Sequence, residues 1–131
     1  MINKEQKRFS ISSRKKSFSF AYKGLKLFFK TQHNSWIHLA AAFLVIGSGL
    51  FFSLNAVEWC LISLAIGLVL VAEILNTSIE FLTDLVSPDY NEKAGQVKDI
   101  AAGAVLVATV ISIAIALFIF LPKVCCIFCH T

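Results

Sequence analysis

Charge is what this sequence has least of. Only 15% of its 131 residues are Asp, Glu, Lys or Arg, where a soluble domain carries roughly a quarter. Two prolines and six glycines are too few for a loop-rich or collagen-like chain. Four cysteines do not make a disulfide scaffold at this length. What abounds is apolar: 57% hydrophobic residues and a mean hydropathy of +0.76. A chain this short has too little interior to hide so much apolar surface from water. A soluble monomer and a disordered chain are excluded, which leaves a small integral membrane protein.

Three stretches carry the hydrophobicity. Trp36 to Leu54 is 19 residues, and Ile100 to Leu121 is 22, without Asp, Glu, Lys or Arg. A hydrocarbon core takes about 20 residues of helix, so both span directly. Trp59 to Ala72 is 14 such residues, after which a helical pattern runs on to Val86. This second span is long enough only if its polar C-terminal half also lies at membrane depth or in a protein-lined cleft. Barrel-type alternation is absent, so the predicted fold is all-α: three transmembrane helices plus an N-terminal amphipathic surface helix. The first span starts too late and is too long for a signal peptide.

Nine of the 12 Lys and Arg precede Trp36, and Lys93 and Lys98 lie between Ser87 and Asp99. The positive-inside rule places the N-terminus and the 87–99 loop in the cytoplasm and the C-terminus outside. The net charge of +4 is then a membrane-side asymmetry, and no nucleic-acid motif accompanies it. Residues 1–13 read as a loose polar tail. Residues 14–30 read as an amphipathic helix, with Phe18, Tyr22, Leu25 and Phe29 at helical spacing beside Lys16, Lys23, Lys26 and Lys30. Such a helix lies in the headgroup region; its basic residues are also candidates to line an anion site. Residues 122–131 form a short tail. Its Cys126-Ile127-Phe128-Cys129-His130 run matches the c-type haem pattern formally. With no axial-ligand candidate or haem-sized fold beside it, the run reads as an incidental apolar tail, like the small filler Cys60.

The informative oddity is a polar stripe. Glu73, Asn76, Glu80 and Asp84 are spaced 3, 4 and 4 residues apart, which gathers them within an arc of about 80° on one helix face. Three carboxylates on one face repel, and burying such groups in a membrane is costly, which makes them functional candidates by default. The bland alternative is that this half of the helix has emerged into water. Carboxylates and an amide carbonyl are hard oxygen ligands suited to Mg²⁺ or Ca²⁺, and a carboxylate beside a hydroxyl can be a general base. Lys98 and Asp99 follow just before the third span. Acids, a lysine and a helix start suggest phosphate chemistry, yet neither a GxxxxGK[ST] nor a GxGxxG loop is present.

The run Glu73-Ile74-Leu75-Asn76-Thr77-Ser78-Ile79-Glu80, then Asp84, Lys98-Asp99 and Ala101-Ala102-Gly103-Ala104-Val105, resembles the prokaryotic diacylglycerol kinase family, which includes undecaprenol kinases. The resemblance covers residues 14–121, the domain between the two tails. It implies transfer of the ATP γ-phosphoryl group to a lipid hydroxyl with Mg²⁺. It also implies a bacterial inner-membrane location and homotrimers whose active sites combine neighbouring subunits. By the same resemblance Glu73 is the general base and Asn76 positions the reacting groups. Glu80 holds the metal–nucleotide, Asp84 and Asp99 lie in the nucleotide site, and Lys98 contacts phosphates. Lys16, with Arg14, approaches the nucleotide from the amphipathic helix. One departure stands out: relatives commonly carry a metal-binding glutamate where this chain has Gln32. Asn34 and His38 look more like the undecaprenol-kinase branch, or are plain interfacial polar residues.

The expected reaction is thus phosphorylation of a membrane lipid, leaning to diacylglycerol, with undecaprenol as the alternative. Two rivals of other classes are a scaffold whose stripe seals an oligomer, and an ion conductor. A conductor needs polar residues through the whole bilayer, and Trp59 to Ala72 offers only Ser63. A scaffold has no need of Lys98 and Asp99.

Overall fold

The computed structural model describes residues 11–129, and the side chains of residues 13–126. Most of the predicted N-terminal tail, and His130 of the haem-like pattern, lie outside the described residues. Within them the chain is four helices and no strand: α1 Ile11–Thr31, α2 His33–Phe51, α3 Ala56–Val86 and α4 Glu92–Cys129. The last three are long and apolar enough to cross a membrane. In lipid, a backbone must satisfy its own hydrogen bonds, and a helix does so within one segment.

The helix ends are set by local chemistry. At Gln32 the backbone turns extended (φ −102°, ψ 109°), breaking α1 from α2 without a loop. The indole N–H of Trp36 donates back to the Phe29 carbonyl at 3.1 Å, and the two rings pack 6.2 Å apart. α2 stops in a Schellman arrangement: Leu54 N–H donates to Gly49 O at 3.1 Å and Ser53 N–H to Leu50 O at 3.2 Å. Ser53 occupies the left-handed position, φ 51°, that glycine usually fills. α3 starts in a capping box: Asn55 Oδ1 accepts from Val57 N and Glu58 N, and Glu58 Oε2 accepts from Asn55 N. Asn91 Oδ1 accepts from Lys93 N and Ala94 N at the start of α4.

α3 and α4 form the main antiparallel pair. Three ties fix their register from end to end: Lys98 with Asp84, Ser112 Oγ donating to the Ala65 carbonyl at 3.0 Å, and Lys123 with Glu58 at 3.0 Å. α2 packs against α3, and α1 packs chiefly on α2. A small core of Leu54, Ile62 and Ile119, with Trp59 and Phe120 against it, closes the end near the α2–α3 turn. Most large apolar side chains face outward, Phe43, Leu64, Leu106 and Phe118 among them. The apolar surroundings of such faces are lipid or other protein, so the observed architecture is the predicted three-span membrane protein. The helix of the third span, α4, is longer than its charge-free segment: it takes in most of the expected 87–99 loop, beginning at Glu92, and runs past Pro122 to Cys129, so Lys98 and Asp99 sit in its first turns.

Candidate functional site

The polar stripe lies on α3 as a gradient of burial. Glu73 is 6% exposed, Asn76 and Glu80 are half-buried, and Asp84 is exposed. Each member finds a different neighbour. Glu73 Oε1 lies 2.8 Å from Nε2 of His38 on α2. An ionised carboxylate only accepts, so paired with it His38 donates through Nε2–H. Asn76 Nδ2 donates to Glu80 Oε1 at 3.0 Å, one turn along α3. Asp84 pairs with Lys98 across to α4. The stripe is therefore divided: its deepest acid faces α2, and its outermost faces α4.

Two recesses flank these groups. One, of about 150 Å³, lies between α2, α3 and α4 and is lined by His38, Ala42, Val45, Ile62, Ala65 and Ser112 among others. His38 is the one titratable residue in that lining. The other, of about 340 Å³, runs along α3 and α4 past Ala72, Ala104 and Ala108, and Asn76 is its single amide. The carbonyl Asn76 Oδ1 is buried and without a hydrogen-bond partner, as is the hydroxyl of Thr77. A buried orphan acceptor is costly. Asn76 meets Glu80 through Nδ2, but its amide oxygen and the Glu80 carboxylate are donors of the hard-oxygen kind a divalent cation takes. Among the described residues no three His, Cys, Asp or Glu side chains cluster as a complete metal site.

Other residues singled out from the sequence are placed apart. Asp99 is exposed near the start of α4, and Lys16 and Arg14 are exposed on α1. Gln32 is half-buried at the α1–α2 junction, and its side chain makes no capping hydrogen bond. Lys16 precedes Gln32 by sixteen residues, about 24 Å of helix. The chain thus brings together His38 with Glu73, Asn76 with Glu80, and Asp84 with Lys98. It does not gather all nine candidates around one point. The His38–Glu73 contact is the feature the sequence did not reveal. Its signal was a histidine at the start of the apolar part of α2, past the polar His33-Asn34-Ser35 turn, with nothing local to say which partner it would meet.

The family model described as prokaryotic diacylglycerol kinase matches residues 19–120. The chain is 44% identical over 108 residues to the undecaprenol kinase of Bacillus subtilis, covering 82% of this chain and 88% of that protein. It is 36% identical over 107 residues to a diacylglycerol kinase of Synechocystis sp., covering 81% of this chain and 61% of the other. The diacylglycerol kinase of Escherichia coli is 28% identical over 105 residues, covering 75% of this chain and 80% of its own. With the membrane helices and the carboxylate–amide stripe already in place, these likenesses settle the kinship: the chain belongs to the prokaryotic diacylglycerol kinase family of membrane lipid kinases.

Proposed function

We propose that this chain transfers the γ-phosphoryl group of ATP to the hydroxyl of a polyprenol, with Glu73 as the general base. The observation that carries the reading is a buried carboxylate paired with His38 of an apolar recess, with more exposed oxygen ligands one and two turns further along the same helix. A lipid hydroxyl approaches from the apolar side and Mg·ATP from the polar side. Glu73 accepts the hydroxyl proton as the lipid oxygen bonds to the γ-phosphorus. The bond from that phosphorus to the bridging oxygen breaks, and ADP leaves. Asn76 orients the reacting groups. Lys98, exposed enough to exchange Asp84 for phosphate oxygens, steadies the nucleotide together with Asp84, Asp99, Lys16 and Arg14. The donor set suits Mg²⁺: Glu80 and the orphan Asn76 Oδ1 would hold it, with Gln32 an uncharged third donor, and it would neutralise phosphate charge.

The orientation that serves this chemistry has the N-terminus and residues 87–99 in the bacterial cytoplasm, where ATP is, and the C-terminus outside. The assembly is a homotrimer with sites shared between subunits. The polyprenol is favoured over the diacylglycerol to which the sequence leans by the higher identity to an undecaprenol kinase. Likeness to two diacylglycerol kinases supports diacylglycerol as the second reading. The test is phosphoryl transfer from labelled ATP to undecaprenol and to diacylglycerol, in parallel, by purified protein in micelles. A higher kcat/KM for undecaprenol is expected. The reverse order selects diacylglycerol, and no labelled lipid in either arm overturns lipid phosphorylation.

A further inference from the structure

His38 is the point where the apolar recess meets the stripe. Its side chain is 22% exposed and that of Glu73 8%, so both groups sit largely out of water. Among the described residues the His38 ring is the one hydrogen-bond partner of the Glu73 carboxylate. That bond occupies Oε1. Oε2 takes no hydrogen bond from a described residue, so it is the oxygen left to meet a substrate. We infer that His38 is a positioning residue for lipid phosphorylation: its Nε2–H holds Oε1 of Glu73 so that Oε2 faces the lipid hydroxyl. The inference rests on the reading of Glu73 as the base.

The physical need is plain. A carboxylate turns readily about its last side-chain bond, which is broad and roughly two-fold, so a free Glu73 would present its oxygens in many directions. A base must lie within about 3 Å of the proton it takes. Anchoring one oxygen removes that freedom before substrate arrives. The ring suits the place, since its apolar body lies against the recess while its polar edge meets the carboxylate. During the reaction the proton moves from the lipid oxygen to Oε2 as the new O–P bond forms and the bond to ADP breaks. His38 keeps its own proton throughout. The rival role is plain interhelical adhesion between α2 and α3, as polar side chains give in membranes.

The experiment is a double-mutant cycle on full-length protein in micelles, with ATP and each lipid: wild type, His38→Ala, Glu73→Gln and the double variant, with His38→Gln and His38→Asn beside them. His38→Ala is expected to lower kcat roughly 10- to 100-fold, the scale of a misplaced reacting group, with KM for ATP unchanged. His38→Gln, whose amide N–H reaches about as far as Nε2, restores most of kcat; the shorter His38→Asn does not. In the Glu73→Gln background His38→Ala costs nothing further, because a residue acting through Glu73 has nothing left to act on. Wild-type kcat in folded His38→Ala or His38→Asn, or an equal loss in both backgrounds, overturns the positioning role. If His38→Ala does not fold, the Gln and Asn variants decide. An active Glu73→Gln removes the base itself, a different failure from an inert His38 beside a dead Glu73→Gln.

Discussion

At the scale of single residues, the metal end of the stripe makes the sharpest demands. His38 and Glu73 touch across α2 and α3. From that contact Gln32 lies six residues toward one end of α2 and Glu80 seven toward the facing end of α3, about 9 and 10 Å along the axes. The helices run antiparallel, so the two residues share a level. Glu80→Ala removes a charged donor beside Asn76 and should raise the Mg²⁺ concentration for half-maximal activity, with partial rescue by excess Mg²⁺. An unchanged Mg²⁺ titration would sink that role. Gln32→Glu adds charge to the same level, and ligand charge tunes the affinity of oxygen sites, so its half-maximal Mg²⁺ should fall. A flat response would make Gln32 an interfacial hinge residue only.

At the scale of elements, the turn between α2 and α3 holds a built-in strain that can be measured. Ser53 has φ 51°, a conformation that costs a residue with a side chain about 1 kcal/mol. Ser53→Gly should therefore slow thermal inactivation in micelles, with the helix ends unchanged. Gly49 should behave in the opposite way. A Cβ there would meet the Trp59 ring at 2.8 Å and the Leu54 side chain at 3.0 Å, so Gly49→Ala overpacks the turn, at roughly 1–3 kcal/mol. Equal melting of both variants would mean that the turn is loose. These elements also show what the sequence could tell. The charge-free runs marked all three spans because hydropathy is a local property, and the stripe showed itself by periodicity. The helix ends at Gln32 and Ser53, and the pairs His38–Glu73 and Lys98–Asp84, were not legible. Those depend on which helix lies beside which, and one chain's pattern of apolar residues leaves that open. The length of α4 was misjudged for a related reason: Glu92 to Asp99 is too polar to count as span, yet Asn91 caps it and helix forms there.

At the scale of the molecule, one chain does not enclose the whole candidate site. Asn76, Glu80, Asp84 and Lys98 are held by α3 and α4, while Lys16 lies on α1, which packs chiefly on α2. Apolar faces of all three spans remain open to lipid or to further copies. We propose that a second chain covers such a face and supplies its α1 to the stripe, so that the site is shared. Subunit mixing tests it. Lys16→Ala and Glu73→Gln should each be nearly inactive as pure proteins. If the base and the α1 lysine of one site come from different chains, unfolding and reassembling the two variants together rebuilds intact sites. Random mixing at equal ratio leaves about a quarter of the sites with both residues native, as expected for a closed ring of identical subunits. Recovered phosphoryl transfer near that fraction of wild type supports sites between chains. Activity no greater than the sum of the separate variants places each site within one chain. If Lys16→Ala alone turns over at the wild-type rate, Lys16 leaves the nucleotide site whatever the assembly.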